Sequence, residues 1–143
     1  MKIGGLAQVA QCTVQTIRYY EQEGLLPVPE RSAANYRSYG QAHVDRLRFI
    51  RNCRALDMTH EEIRVLLGMM DQPAGDCRAI NRLLDEHIGH VDMRINELLQ
   101  LQSQLVMLRE LCQSERSIDA CGILQGLAAM ETEIRHPRPT HLG

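Results

Sequence analysis

Apolar residues recur every three or four positions through most of this chain, and those steps predict helices. Ile3, Leu6, Val9 and Ala10 mark the inward face of a short helix over 3–10. Gln11-Cys12 is a tight connection. Thr13 then N-caps a second helix running to about Glu23, with Val14 and Ile17 facing the first helix and Gly24 ending it. Leu25-Leu26-Pro27-Val28-Pro29 leads through a polar turn into Tyr36-Arg37-Ser38-Tyr39, an alternation that reads as a small hairpin. Val44, Leu47, Ile50, Cys53 (or Arg54) and Leu56 predict a third helix over 41–56. A fourth, over 59–70, has Thr59 and Glu62 at capping-box spacing and Met58 with Ile63 as a hydrophobic staple. Ile63, Leu66, Leu67 and Met70 face inward along it, and Pro73 closes it.

The longest pattern follows the Pro73-Ala74-Gly75 turn, with Asp76 as N-cap. Leu84, Ile88, Val91, Ile95, Leu98, Leu101, Leu105 and Leu108 form one stripe, unbroken by Pro, to about Cys112. A stripe held for four heptads is a coiled-coil signal and calls for a partner helix. From Cys77 to Cys112 such a helix is roughly 50 Å long, so its two end cysteines cannot share a ligand within one chain. An antiparallel pair of identical helices places Cys77 of one chain beside Cys112 of the other. Cys121 can fold back onto Cys112 through the polar loop 113–120. The spacing therefore predicts two symmetric three-thiol sites in a homodimer. The plainer alternative is a helix-start residue and small packing residues. Cys121 opens a last short helix, and the tail from Arg135 is expected to be disordered.

Composition narrows the class. The chain has 143 residues, 44% hydrophobic and 24% charged, with no Trp and one Phe, so its core is aliphatic and helical rather than a sandwich. No apolar run approaches the roughly 18 residues of a membrane span, and the N-terminus lacks a signal-peptide core, so the expectation is a cytoplasmic protein with no membrane partner. Five cysteines without a C-x-x-C pair argue against a disulfide framework or a thioredoxin-like site. Residues 1–56 hold Lys2 and seven arginines against four acids, a net +4, which leaves the remainder at −6. That asymmetry points to a polyanion partner for the N-terminal part alone.

Two short helices joined by a tight turn form a helix-turn-helix unit. Gln15, Thr16, Arg18 and Tyr19 fall near its outer face, at the end that enters a major groove. Arg suits guanine edges and phosphates, and Tyr hydroxyls and hairpin Tyr and Arg suit a phosphate backbone. Arg46, Arg48 and Arg51 read instead as surface or intramolecular pairs. Cys12 and Cys53, at apolar positions, read as packing residues. No nucleophile–base pair stands in a catalytic context, so no catalytic residue is expected.

The runs Thr13-Val14-Gln15-Thr16-Ile17-Arg18-Tyr19-Tyr20-Glu21, Gly24-Leu25-Leu26 and Asn35-Tyr36-Arg37-Ser38-Tyr39 strongly resemble the MerR family of transcriptional regulators. Ile50-Arg51 and Leu56-Asp57-Met58-Thr59-His60-Glu61-Glu62-Ile63 agree, and the resemblance covers roughly residues 1–130. It implies a mainly α fold: a winged helix-turn-helix domain (1–72), an antiparallel coiled-coil dimerisation helix (76–112), a metal-binding loop and short helix (113–131), and a tail (132–143). It implies DNA contacts from Lys2, Gln15, Thr16, Arg18, Tyr19, Tyr20, Arg31, Tyr36 and Arg37. Gln11 stands where many relatives have a turn Gly, which bears on the backbone angles there.

The resemblance further puts Cys77, Cys112 and Cys121 on the metal positions of the heavy-metal sensors. Cys rather than Ser at 77 is similar to the divalent-ion branch. Asp85-Glu86-His87-Ile88-Gly89-His90 and Cys121-Gly122-Ile123-Leu124-Gln125 are most similar to the cadmium/lead-responsive regulators, with the mercury-responsive ones close. Three thiolates favour soft ions, Cd(II) or Pb(II) first and Hg(II) or Zn(II) as alternatives; a structural zinc site would want four ligands. His87 and His90 share a helix face, and with His136 and His141 they are candidates for a second, nitrogen-rich site, against a plain solvated face. The function implied is a homodimer on promoter DNA that activates metal-resistance genes with RNA polymerase when metal binds. Rivals are a sensor of an organic ligand or oxidant and, from another class, a thiol-based metal-buffering protein.

Overall fold

Three of the first four helices end in the same way. After α1 (Ile3–Ala10), Gln11 turns left-handed at φ 54, and the N–H groups of Gln11 and Cys12 reach back to the carbonyls of Gln8 and Ala7. After α2 (Val14–Gln22), Gly24 takes φ 75, and Gly24 and Leu25 bond back to Glu21 and Tyr20. After α3 (Gln41–Ala55), Asp57 takes φ 59, and Asp57 and Met58 bond back to Arg54 and Cys53. Each is a Schellman closure, which satisfies two orphan carbonyls and turns the chain out of the helix.

The starts follow the sequence expectation. Thr13 caps α2 by accepting from the Thr16 N–H at 3.0 Å. Thr59 and Glu62 form a reciprocal capping box at the head of α4 (His60–Asp71). The computed structural model describes residues 1–115 and 117–132. It divides into two units, Met1–Leu83 and a second from Leu84 onward.

The first unit has two cores. Leu6, Ala7, Ile17, Leu26, Tyr39, Val44 and Leu47 join α1, α2 and α3. Leu25, Ile50, Cys53, Met58, Ile63 and Leu67 join α3 to α4. Adjacent Leu25 and Leu26 enter different cores, and the Tyr20 ring packs against both. Cys53 is buried and Cys12 packs at the edge of the first core, as their apolar positions suggest. The hairpin is closed by one antiparallel bridge, Arg31 to Arg37, with Asn35 at φ 60 in its turn. No other strand pairing occurs among the described residues. Tyr39 leaves the hairpin and enters the first core, where it exchanges two backbone hydrogen bonds with Met1.

Three inward assignments fail. Val9 is 57% exposed, because the buried face of α1 is centred on Leu6 and Ala7 and leaves Val9 to one side. Leu56 is 64% exposed; it is the C-cap of α3, and the turn at Asp57 sends Met58 inward instead. Met70, in the last turn of α4, is exposed while Ile63 and Leu67 take the buried line.

α5 spans Arg78–Glu110, 33 residues. Asp76 accepts from the Arg78 N–H at 3.0 Å, and the Cys77 carbonyl receives the Asn81 N–H, so the helix starts within two residues of the expected cap. In the second unit Leu84, Ile88, Ile95, Leu98, Leu101 and Leu105 lie exposed along it. A single turn of 3₁₀ helix, Ile118–Ala120, precedes α6 (Gly122–Ala129).

Ile17 is fully buried where α1, α2 and α3 meet. Ile17→Ala should cost about 2–5 kcal/mol, while Val9→Ala should stay within about 0.5 kcal/mol. Chemical denaturation of both variants checks this; equal losses would contradict the placement of Val9.

Candidate functional site

The first unit presents a basic cleft. Lys2, Arg18, Arg31 and Arg37 line an open depression of about 410 Å³ with Asn35 and Tyr36. These cations come from three places in the sequence: the residue before α1, the middle of α2, and both sides of the hairpin. The fold brings them together through specific contacts. The Met1–Tyr39 pairing sets Lys2 beside the hairpin, where its ammonium lies 4.8 Å from the Tyr36 ring centroid. Arg31 Nη1 donates to the Asn35 carbonyl and braces the hairpin turn. Arg37 Nη1 donates to Glu21 Oε2 at 2.9 Å, and the Tyr39 hydroxyl donates to the other oxygen. Burial raises the Tyr39 phenol above its ordinary value, the Glu21 bond and charge add to this, and Arg37 opposes it.

Gln15 and Arg18 are exposed on α2, and Thr16 is half-buried with its hydroxyl 2.8 Å from that of Thr13. Tyr19 is exposed, its hydroxyl 3.3 Å from His60 Nδ1. Tyr20 is placed differently: its half-buried ring packs on both cores, and burial raises its phenol, with Arg54 opposing. Its first role is packing. Arg46 pairs with Asp71 at 2.7 Å and Arg48 approaches Asp45 at 3.7 Å. Arg51 donates to the Ala10 carbonyl and to Gln11 Oε1. The intramolecular reading of these three therefore holds. Sequence reasoning did not single out Asn35 or Glu21. A polar Asn in a hairpin turn was a readable signal for the first; nothing in the local pattern marked the second.

The second unit returns α6 to the end of α5, where two of the cysteines lie. Cys112, just past α5, donates its thiol to the Ser114 carbonyl at 3.3 Å, and Cys121 opens α6. The return shows as close packing of α6 against the end of α5. A Cβ on Gly122 would overlap the Leu111 carbonyl oxygen, and one on Gly126 would lie 2.8 Å from Leu111 Cδ1. The Leu124 N–H pulls the Cys121 thiol below the ordinary thiol range; burial opposes this, and the Ile123 N–H and the Cys112 thiol add to it. Burial instead pushes Cys53 up, and Cys12 also, with Arg51 opposing there. Two thiols at one end of the helix, one of them with its pKa lowered, suit a soft ion.

Cys77, in the first unit, is exposed immediately before α5. His87 is buried, so the solvated-face reading fails for it; its ring stands edge-on to His90 at 6.4 Å between centroids. His136, His141 and most of the tail over 132–143 lie outside the described residues.

Residues 1–69 match the MerR HTH regulatory-protein family, and residues 44–108 match the MerR DNA-binding family. A ZntR homolog of Haemophilus influenzae, an HTH-type transcriptional regulator, is 50% identical over 110 residues, covering 77% of this chain and 82% of the relative. The chain belongs to the MerR family. The mercuric resistance operon regulatory protein of Bacillus cereus is 37% identical over 126 residues, 88% of this chain and 96% of the relative. The structure of PbrR691 from Ralstonia metallidurans CH34 in complex with lead(II) superposes with a TM-score of 0.82 at 50% identity, over 89% of this chain and 98% of that one. As a MerR protein of the heavy-metal-responsive branch, it is a DNA-binding transcriptional regulator and not an enzyme. No helix among the described residues is long and apolar enough to cross a membrane.

Two predictions follow from the thiols. The lowered Cys121 value means that its thiolate stabilises the fold above the ordinary thiol range, and this contribution is lost as pH falls through the lowered value. Iodoacetamide below the ordinary thiol range should therefore label Cys121 ahead of Cys12 and Cys53, read by peptide mass spectrometry. Labelling of either core thiol first would refute the assignment. Gly122→Ala should displace α6 and slow diamide-driven Cys112–Cys121 disulfide formation in the metal-free protein by about tenfold or more, given how steeply reaction depends on placement. An unchanged rate would mean the close packing does not hold the thiols together.

Proposed function

We propose that this MerR protein binds promoter DNA as a homodimer and activates metal-resistance genes with RNA polymerase when a thiophilic divalent ion binds. Cd(II) or Pb(II) is the first choice of effector. The observation that carries the reading is the close packing of α6 on the end of α5, which returns Cys121 to the end of the helix that Cys112 follows. Cys112 and Cys121 hold the ion as thiolates, and the partner's Cys77 completes the set. The exposed apolar stripe of α5 is the surface a second α5 covers. Holding Cys112 and Cys121 together fixes the loop between them and docks α6, which gives the bound state its differential contacts. The basic cleft supplies phosphate contacts, and Gln15, Thr16 and Arg18 on α2 face the groove. The likeness to a lead(II) complex at 50% identity supports lead. The mercuric-resistance relative supports Hg(II) as the alternative, and Zn(II) is the other ion the thiols accept.

Ultraviolet titration of the reduced protein with Pb(II), Cd(II), Hg(II) and Zn(II), repeated on Cys77→Ser, Cys112→Ser and Cys121→Ser, tests this reading. Thiolate-to-metal bands should saturate with lead or cadmium, persist in excess zinc and vanish in each variant. Metal-induced transcription should be lost with them. Full induction in Cys112→Ser would overturn the proposal; bands that only mercury displaces would reassign the effector.

A further inference from the structure

Glu21 is an acid placed among the cations that face the phosphate-binding cleft. Its side chain is 5% exposed, whereas that of Arg37, its partner, is 43% exposed. Both carboxylate oxygens are used: Oε2 receives Arg37 Nη1 at 2.9 Å and Oε1 receives the Tyr39 hydroxyl. The two partners hold different things. Arg37 closes the only bridge of the hairpin among the described residues, opposite Arg31. Tyr39 is buried in the first core and carries both backbone bonds to Met1, next to Lys2. One carboxylate at the end of α2 thus fixes the outgoing limb of the hairpin, the Arg31–Arg37 bridge and the approach of Lys2. Arg37 gives Glu21 one guanidinium nitrogen of its fork.

We propose that Glu21 is a positioning residue for DNA: through its bond to Arg37 it holds that cation so that the cleft cations meet a phosphate backbone as one set. The proposal rests on the DNA-binding reading above. It makes an expectation opposite in sign to simple electrostatics. Removing a negative charge beside a polyanion site should tighten DNA binding through the summed field. Removing a positioning carboxylate should weaken it.

The test is fluorescence anisotropy of the full reduced protein with mixed-sequence double-stranded DNA across a salt series, since phosphate contacts are sequence-independent. Glu21→Gln should bind about tenfold more weakly and lower the salt slope by about one, as loss of one phosphate contact does. Arg37→Ala should match it, and the double variant should lose no more than Arg37→Ala alone. Tyr39→Phe removes the other hydrogen bond, spares the Arg37 pair, and should stay within about threefold of the parent. Glu21→Asp keeps the charge but shortens the reach; it should show an intermediate loss with the thermal midpoint of the parent, which secures the test if Glu21→Gln melts early. Equal or tighter binding by Glu21→Asp or a folded Glu21→Gln, or losses that add in the double variant, would overturn the positioning role while leaving DNA binding intact. A parent protein that binds no duplex at low salt would overturn both together.

Discussion

The turn between α1 and α2 is the constraint from which the first unit is built. Its two residues must reverse the chain while α1 and α2 share Leu6 and Ile17 in one core. A Schellman closure does this only if one residue enters the left-handed region, and here that residue is Gln11. A side chain there costs roughly 1–2 kcal/mol relative to glycine. The structure recovers something for it: Gln11 Oε1 and the Ala10 carbonyl both receive Arg51 of α3. The side chain that strains the turn is thus also the one that ties it to the third helix. Arg51 acts as a structural cation, and its charge is directed inward to the turn rather than outward to a polyanion.

The same economy governs the charges of the cleft. A cluster of Lys2, Arg18, Arg31 and Arg37 repels itself unless something holds it. Arg31 is braced by a carbonyl, Lys2 lies over an aromatic ring, and Arg37 is paired with a carboxylate. Each tether uses part of a cation and leaves it at the surface. The net +4 of residues 1–56 is therefore unevenly available: Arg46, Arg48 and Arg51 are engaged within the unit, while the cleft cations are held at its rim.

What the sequence made legible was whatever depends on neighbours along the chain. Thr13 and Thr59 caps, the Met58–Ile63 staple, Gly24 and the long stripe each follow from residues within a turn of one another, and each stands in the structure. Gln11 and Asp57 were not readable as left-handed positions, because neither is glycine and the selection for that geometry comes from tertiary packing. Val9 and Leu56 failed for a related reason. Period alone finds an apolar face but not its centre, and a helix as short as α1 buries only the middle of that face. Glu21 lay inside a run that the family resemblance singled out. Its role depends on Arg37 and Tyr39, 16 and 18 residues away, and no local rule couples them. The sequence allows Cys121 to fold back through the loop, and α6 does return to the end of α5. The glycines that allow it were not legible, since close approach has no signature in a single helix.

The thiol pair and the apolar stripe of α5 raise one question of completeness. One chain can return Cys121 to the end of α5 by itself, since the eight residues 113–120 suffice. Among the described residues, Leu84, Ile88, Ile95, Leu98, Leu101 and Leu105 stay exposed along α5. Burial of such a stripe stabilises at roughly 25 cal/mol per Å², enough that leaving it in water would be costly for a helix of 33 residues. The proposed metal site is divided in the same way: Cys112 and Cys121 come from one chain, and the proposed third ligand, Cys77, from the far end of another α5. A single antiparallel pairing satisfies both deficits at once. In that arrangement the stability of the long helix and the ligand count of the thiol site are set by one interface. In the proposed dimer the sensing step acts on the same interface that covers the stripe.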